Sequence, residues 1–75
     1  MTSTFLKNKA KDFFDGKKAK VLVLQRNIGG DEIAQGEIVT LTGRSPRDKT
    51  SLSIKSDTGI IINSVWCEQL ELITE

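Results

Sequence analysis

Few residues in this chain could do chemistry, and their types exclude most catalytic sites. The sequence has no histidine and a single cysteine, Cys67. A hydroxyl or thiol nucleophile needs a neighbouring base, most often histidine, so neither a Ser-His nor a Cys-His pair can be built. We therefore expect Cys67 to be a small buried side chain beside Trp66, and we expect no enzymatic activity.

Ligand sites are equally incomplete. Without histidine the lone cysteine has only carboxylates as co-ligands, and Asp31-Glu32 and Glu68…Glu71 lack the spacing of a calcium loop. Gly29-Gly30-Asp31 is followed by neither a helix nor a Gly-Lys-Ser/Thr sequence, so we expect a mobile loop there instead of a phosphate cradle. The sequence predicts no metal ion and no cofactor.

Length and cysteine content limit the architecture. The 75 residues allow one domain, residues 1–75, whose folding buries only about 60% of the unfolded surface. One cysteine cannot form an internal disulfide, which suits a reducing compartment. No stretch reads as a signal peptide or approaches the roughly 18 apolar residues of a membrane span, so we expect a soluble, cytoplasmic protein.

The stretch that predicts most about the fold is residues 50–73. Residues 51–55 alternate apolar and polar side chains, as a half-buried strand does, and Ser56-Asp57-Thr58-Gly59 predicts a tight turn because glycine can take a positive φ. Apolar strands follow at 60–63 and 70–73. The segment between them is too short for a long helix, so we expect one tight turn to carry the chain to a different edge of the sheet.

Upstream, residues 4–15 predict an amphipathic helix ending at Gly16, because Leu6, Ala10, Phe13 and Phe14 share one side at 100° per residue. Residues 20–25 predict a strand that does not alternate, so apolar side chains leave both of its faces. Its outer face needs cover. We expect the helix to supply that cover from the outside or over an open end of the sheet; a homodimer joining the outer faces is the alternative.

Two polar connections separate the first three predicted strands. Residues 26–36 form a long glycine-containing loop that Ile28 and Ile33 are expected to pin by tucking inwards. A strand at 37–42 follows, and residues 43–49, with proline, glycine and four charges, predict an exposed loop.

The order of these elements resembles the SH3-like barrel, in which a long first loop, a second polar loop, a tight distal hairpin and a 3₁₀ turn connect five strands. Residues 59–65 (Gly-Ile-Ile-Ile-Asn-Ser-Val) are similar to the glycine, apolar pair and Pro-Ser-Asn-Tyr ending of those barrels, and residues 35–43 look like their second strand. The resemblance implies a mainly β fold: a five-stranded SH3-like barrel over residues 20–74, preceded by the helix at 4–15.

The charge distribution and the aromatic content limit the kinds of partner that this chain could bind. Residues 1–20 hold six lysines against two aspartates, and the remainder five cations against eight carboxylates. The chain has no tyrosine and one tryptophan, too few aromatics for the paired slots of a proline-peptide groove or for a methyl-lysine cage. We expect a folded protein partner, with the chain serving as an adaptor, regulator or inhibitor.

The residues expected to contact that partner are the acids of the first loop, the cations of the second, and the tryptophan: Asp31, Glu32, Arg44, Arg47, Lys49 and Trp66. Trp66 could instead cap the core. A nucleic-acid-binding barrel of the KOW type, contacting phosphates through its basic loops, is the alternative function, and a structural or assembly subunit is the second alternative. No membrane contact is expected.

Overall fold

The computed structural model describes residues 1–10, 12–44 and 50–73, without the side chain of Arg44. It is mainly β, with one short helix. The elements in chain order are α1 (Ser3–Lys7), β1 (Lys18–Val21), β2 (Gln25–Arg26), β3 (Glu32–Ile33), β4 (Ile38–Arg44), β5 (Ser51–Lys55), β6 (Ile61–Trp66), a 3₁₀ turn (Cys67–Gln69) and β7 (Leu70–Leu72).

Five of these strands form one antiparallel sheet in the order β6-β5-β4-β1-β7, and β2 pairs with β3 in a separate hairpin. The 3₁₀ turn carries the chain from β6 at one edge to β7 at the other, so the predicted change of edge is confirmed. The predicted closed barrel is wrong, because β7 pairs with β1 and no described pairing joins it to β6. The sheet remains open.

The inner face of the sheet carries the core. Several cross-strand pairs on this face join two apolar residues, including Ala19 with Val39, Leu41 with Ile54 and Leu52 with Val65. All six of these side chains have no exposed surface. Side chains directly opposite one another on a sheet share a face, so these pairs form a continuous apolar layer across four strands.

The first strand departs from its prediction. It begins at Lys18 and alternates, with Lys18 and Lys20 exposed and Ala19 and Val21 buried. The following apolar run leaves the sheet, and Val23 and Leu24 are about half exposed. The register of the sheet explains the exposure of Val23 and Leu24. Only every second residue of a strand points to the inner face, so the run 21–24 cannot place all its side chains inwards.

The N-terminal segment also differs from its prediction. The helix has five residues instead of the predicted twelve, and its N-cap is Thr2, whose hydroxyl accepts from the Phe5 N–H at 3.1 Å. A continuous helix would hold Leu6 and Phe14 about 12 Å apart along its axis. The break after α1 lets both enter the core while Ala10 stays exposed.

This segment covers the inner face of the sheet. Its rings pack edge to face, with centroids 6.3 Å apart for Phe5 with Phe13, 6.3 Å for Phe5 with Phe14 and 5.0 Å for Phe13 with Phe14. The amino group of Met1 donates to the main-chain oxygens of Cys67 at 3.1 Å and of Leu70. The cover therefore lies on the core side. The outer face of β1 is polar and needs no cover.

The predicted distal turn is confirmed. Gly59 has a φ of +92° and its N–H donates to the Ser56 carbonyl at 3.0 Å. The buried Ser56 hydroxyl accepts from the Ile60 N–H at 3.0 Å and lies 2.9 Å from the Thr58 hydroxyl oxygen. These contacts set the register of β5 against β6.

Replacing Phe14 by Ala should lower the free energy of unfolding by about 3–5 kcal/mol, because a fully buried aromatic ring leaves a cavity. Phe13→Ala is the matched control and should cost less, since Phe13 is only half-buried. Urea denaturation of both variants measures the difference. Equal losses, or a loss below about 1 kcal/mol for Phe14→Ala, would mean that the N-terminal segment does not cover the core.

Gly59→Ala should destabilise the protein by about 1–2 kcal/mol, because a Cβ disfavours the left-handed conformation that this turn requires. Gly29→Ala is the control, since Gly29 lies in an exposed turn without a positive φ. It should change stability by no more than about 0.5 kcal/mol. Thermal and chemical denaturation compare the two, and an unaffected Gly59→Ala variant would place the reversal elsewhere.

Candidate functional site

The predicted acids of the first loop belong to the hairpin formed by β2 and β3. The Glu32 carboxylate lies 2.9 Å from the Arg26 guanidinium, with both side chains substantially exposed. An exposed ion pair of this kind contributes at most about 1 kcal/mol. Glu32 already has a partner across the hairpin, and contact with another protein must compete with that pair.

Asp31 closes the turn of the same hairpin. Its N–H donates to the Asn27 side-chain oxygen at 2.9 Å, and its carboxylate accepts from the Asn27 side-chain amide at 3.3 Å. The Asn27 N–H also donates to the Asp31 carbonyl at 3.0 Å. The loop predicted between 26 and 36 is thus an organised hairpin, in which Asp31 has a structural role.

The apolar residues of the hairpin divide between core and solvent. Ile33 is fully buried, as predicted. Ile28, at the tip, is fully exposed, so the prediction that it tucks inwards is wrong. The Asn27 amide donates to the Ile61 carbonyl at 3.4 Å, which brings the hairpin beside the start of β6.

Trp66 ends β6 and precedes the 3₁₀ turn. Its side chain is 54% exposed, so of the two predicted roles the structure favours the exposed one over a place in the core. Trp66 lies opposite Ser51, and the Cys67 N–H donates to the Thr50 carbonyl at 3.0 Å. Trp66 therefore lies near the residue at which the second, charged loop returns to the sheet.

That second loop is only partly described. The main chain of Arg44 belongs to β4, opposite Leu52. The side chain of Arg44, and Arg47 and Lys49 entirely, lie outside the described residues. Their role in partner contact stays a prediction.

Among the predicted site residues whose side chains the structure describes, the hairpin acids and Trp66 do not converge on one patch. The hairpin acids lie near Ile61, and Trp66 lies five residues further along β6, about 17 Å away for an extended chain. Strand β6 connects the two predicted contact regions. Its own exposed side chains, with Ile61 at 49% exposure, were not among the predicted site residues, because the sequence does not reveal which strand lies at an edge.

A row of cations on the outer face was also missed. Lys18, Thr40, Lys55 and Ile61 are successive cross-strand partners, and the Lys18 ammonium donates to the Thr40 hydroxyl at 2.6 Å. Lys20 lies on the same face, opposite Glu71 of β7. The alternation of polar and apolar residues at 18–21 could have predicted that Lys18 and Lys20 share the outer face. The apolar run that follows at 21–24 made the strand look non-alternating.

Cys67 is fully buried, and this burial raises the pKa of its thiol despite the opposing effect of the nearby N-terminal ammonium. Over the described ranges, no cluster of three or more histidine, cysteine, aspartate or glutamate side chains could hold a metal ion. The same part of the chain contains no helix with the length and apolar character needed to cross a membrane.

Comparison of this chain with protein-family models, with curated proteins and with solved structures finds no match.

The Cys67 thiol should react slowly with a soluble thiol reagent while the protein is folded. A raised pKa leaves less thiolate at pH 7–8, and burial blocks access, so both effects act in the same direction. We expect labelling at least about tenfold slower than in denaturant, where the thiol is exposed and its pKa is ordinary. Equal labelling rates in the two states would place Cys67 at the surface.

Proposed function

We propose that this protein is a small non-enzymatic binding module that acts by protein–protein interaction, as an adaptor, regulator or inhibitor of a larger protein. The observation that carries the proposal is the exposure of Trp66, 54%, at the end of the edge strand β6. Tryptophan is among the residues most enriched where binding energy concentrates at interfaces.

The surroundings of Trp66 support this assignment. Ile61 on the same strand and Ile28 on the adjoining hairpin are also exposed. A domain of this size has few large apolar residues with which to stabilise its fold, so leaving three of them at one side of the sheet favours a surface that is buried on binding.

Charged residues flank this apolar strip. Asp31 and Glu32 belong to the hairpin that contacts β6 at Ile61, and Arg44, Arg47 and Lys49 are proposed to contribute the cations of the interface. Charges at the rim of an interface set orientation and association rate more than affinity. This arrangement suits docking on a folded protein whose own charges are of mixed sign.

The layout of the fold also supports a role as a binding module. We propose that the chain is related in layout to SH3-like domains, which bind partners between their first loops, with an open sheet in place of the closed barrel. The strand order, the organised hairpin after β1, the distal turn and the 3₁₀ turn before the last strand support that relationship.

Nucleic-acid binding is the second candidate, and the row of lysines on the outer face favours it. Lys18, Lys20 and Lys55 face the same side of the sheet, where Glu71 is the opposing carboxylate. The cross-strand partners of Lys18 and Lys55 are Thr40 and Ile61, so no aromatic side chain in that row can stack on a base. Binding of this kind would depend on phosphates and would weaken steeply with salt.

Affinity capture from the native host, with and without nuclease, tests the two candidates together. A partner that survives nuclease treatment supports protein binding. Trp66→Ala should then reduce affinity for the purified partner by about 30-fold, the effect of losing a contact worth about 2 kcal/mol. Val23→Ala is the matched control, since Val23 is 49% exposed but lies outside β6.

A charge-reversal variant tests the cations predicted to contact the partner. Arg44→Glu combined with Arg47→Glu should weaken capture while leaving the thermal midpoint nearly unchanged. If neither this double variant nor Trp66→Ala changes the amount of partner captured, the proposed surface is wrong. Capture lost on nuclease treatment, and restored by nucleic acid, would establish the second candidate instead.

A further inference from the structure

The outer face of the sheet carries lysines and exposed isoleucines side by side. Directly paired residues share a face of a sheet, as do residues two apart on one strand. The pairings of β1 with β4 and β7, of β4 with β5 and of β5 with β6 therefore define one surface. We name it the outer patch, and its members are Lys18, Lys20, Ile38, Thr40, Lys55, Ile61 and Glu71.

The lysines of the outer patch are not neutralised by neighbouring side chains. In the part of the chain that the structure describes, none of the three forms an ion pair. The Lys18 ammonium donates to the Thr40 hydroxyl at 2.6 Å, a neutral partner that holds the group in place and leaves its charge intact. Glu71 lies opposite Lys20 and is the one carboxylate of the patch. The outer patch therefore has an excess of positive charge.

The isoleucines of the outer patch lie among these cations. Ile38 is 41% exposed and Ile61 is 49% exposed. The main-chain carbonyl of Ile61 accepts the Asn27 amide, but the Ile61 side chain stays open to solvent. The solvent face of an antiparallel sheet is typically polar, so this aliphatic surface departs from the usual pattern. A ligand of the outer patch can therefore gain affinity from apolar burial as well as from charge.

The isoleucines also distinguish between the two kinds of polyanion that a cationic surface could bind. Nucleic acid binds through its phosphates and through bases that stack on aromatic side chains, which the outer patch lacks. The whole chain has a net charge of +1, below the strongly basic balance typical of nucleic-acid-binding domains. A polypeptide can place carboxylates beside aliphatic side chains, so it matches both parts of the patch.

The dimensions of the outer patch suit a short extended segment. Neighbouring strands lie about 4.8 Å apart, so Lys18 and Lys55 are separated by about 10 Å across the sheet, and Ile61 lies about 5 Å further on. An extended segment rises about 3.3 Å per residue and crosses this row in about five residues. Lys20 lies about 7 Å from Lys18 along β1, within reach of the same segment.

We propose that the outer patch docks an acidic segment of a partner protein. The carboxylates of that segment contact the three lysines, and its apolar side chains cover Ile38 and Ile61. The charges orient the segment and speed its association, while burial of the isoleucines contributes affinity. The inference rests on the proposed function, because it specifies the chemistry of a protein partner that reaches the strand carrying Trp66.

Fluorescence anisotropy with labelled peptides of about 12 residues tests this, since that length is more than twice the row. The main probe mixes glutamate with leucine. A glutamate–serine peptide, a lysine–leucine peptide and single-stranded DNA of the same charge are the comparisons. At low salt the glutamate–leucine peptide should bind most tightly, because it alone offers both carboxylates and apolar surface. Its affinity should fall as salt screens the lysines.

The combined variant Lys18→Gln, Lys20→Gln and Lys55→Gln should weaken binding of the glutamate–leucine peptide about tenfold, as the loss of three exposed charge contacts would. Lys7→Gln is the control and should bind as the parent does, since Lys7 is exposed on α1 and lies outside the patch. Glu71→Gln should strengthen binding about twofold, because it removes the opposing carboxylate.

Two further variants separate the apolar contribution from the charge. Ile38→Thr with Ile61→Thr keeps β-branched side chains in the strands and should abolish the preference for the glutamate–leucine peptide over the glutamate–serine peptide. Lys18→Glu with Lys55→Glu should bind the lysine–leucine peptide instead. A gained affinity for the opposite charge cannot result from a damaged fold, and thermal midpoints near that of the parent check this independently.

An absence of binding to the glutamate–leucine peptide would overturn the proposal, as would binding that the lysine variants leave unchanged. Tighter binding of the DNA, unaffected by the threonine pair, would overturn it in favour of the nucleic-acid candidate. The proposed function fails separately. A native partner whose capture Trp66→Ala weakens, without any peptide binding, keeps the adaptor role and removes acidic docking, whereas peptide binding with no captured partner does the reverse.

Discussion

Burial of one face of a single open sheet is the constraint on which the rest of this protein depends. The chain has no disulfide, and its 75 residues supply one core, in which side chains from β1, β4, β5, β6 and β7 meet Leu6 and Phe14 of the N-terminal segment. Each of these side chains stabilises the fold by about 25 cal/mol per Å² of apolar surface removed from water, and a small domain has few of them. The short helix follows from that demand, since its break allows both residues to reach the sheet.

The same arrangement leaves the outer face of β1 to solvent and brings the hairpin of β2 and β3 against β6. The outer face of β1 is lysine-rich and stable in water, and β7 is short and carries Glu71. Strand β6 differs, because it is long, uncharged and ends in an exposed Trp66. Ile62 and Val65 of this strand enter the core, whereas Ile61 and Trp66 stay exposed, and these exposed side chains are the basis of the proposed binding surface.

The hairpin of β2 and β3 is ordered by its own polar contacts. Asp31 and Asn27 satisfy each other and order the turn, while Arg26 and Glu32 form an exposed pair. An ordered hairpin loses less conformational entropy on binding than a free loop does. The acids predicted as contact residues therefore shape the surface beside β6, and in the proposed interface their charge lies at its rim.

The sequence by itself determined the features that depend on neighbouring residues: the strand at 51–55, the turn closed by Gly59, the change of sheet edge before β7 and the burial of Ile33. Alternation and turn chemistry are local, so they can be read without the rest of the chain. The length of the helix and the solvent exposure of Val23 and Leu24 were decided by competition for one small core.

The openness of the sheet and the exposure of Trp66 were likewise decided only in the tertiary structure. An apolar strand reads the same whether it is central or at an edge, because the difference lies in which distant strand supplies the neighbour. The register between β5 and β6 shifts between Leu52 and Ile54, and only this register places Ile61 and Trp66 on the exposed outer face.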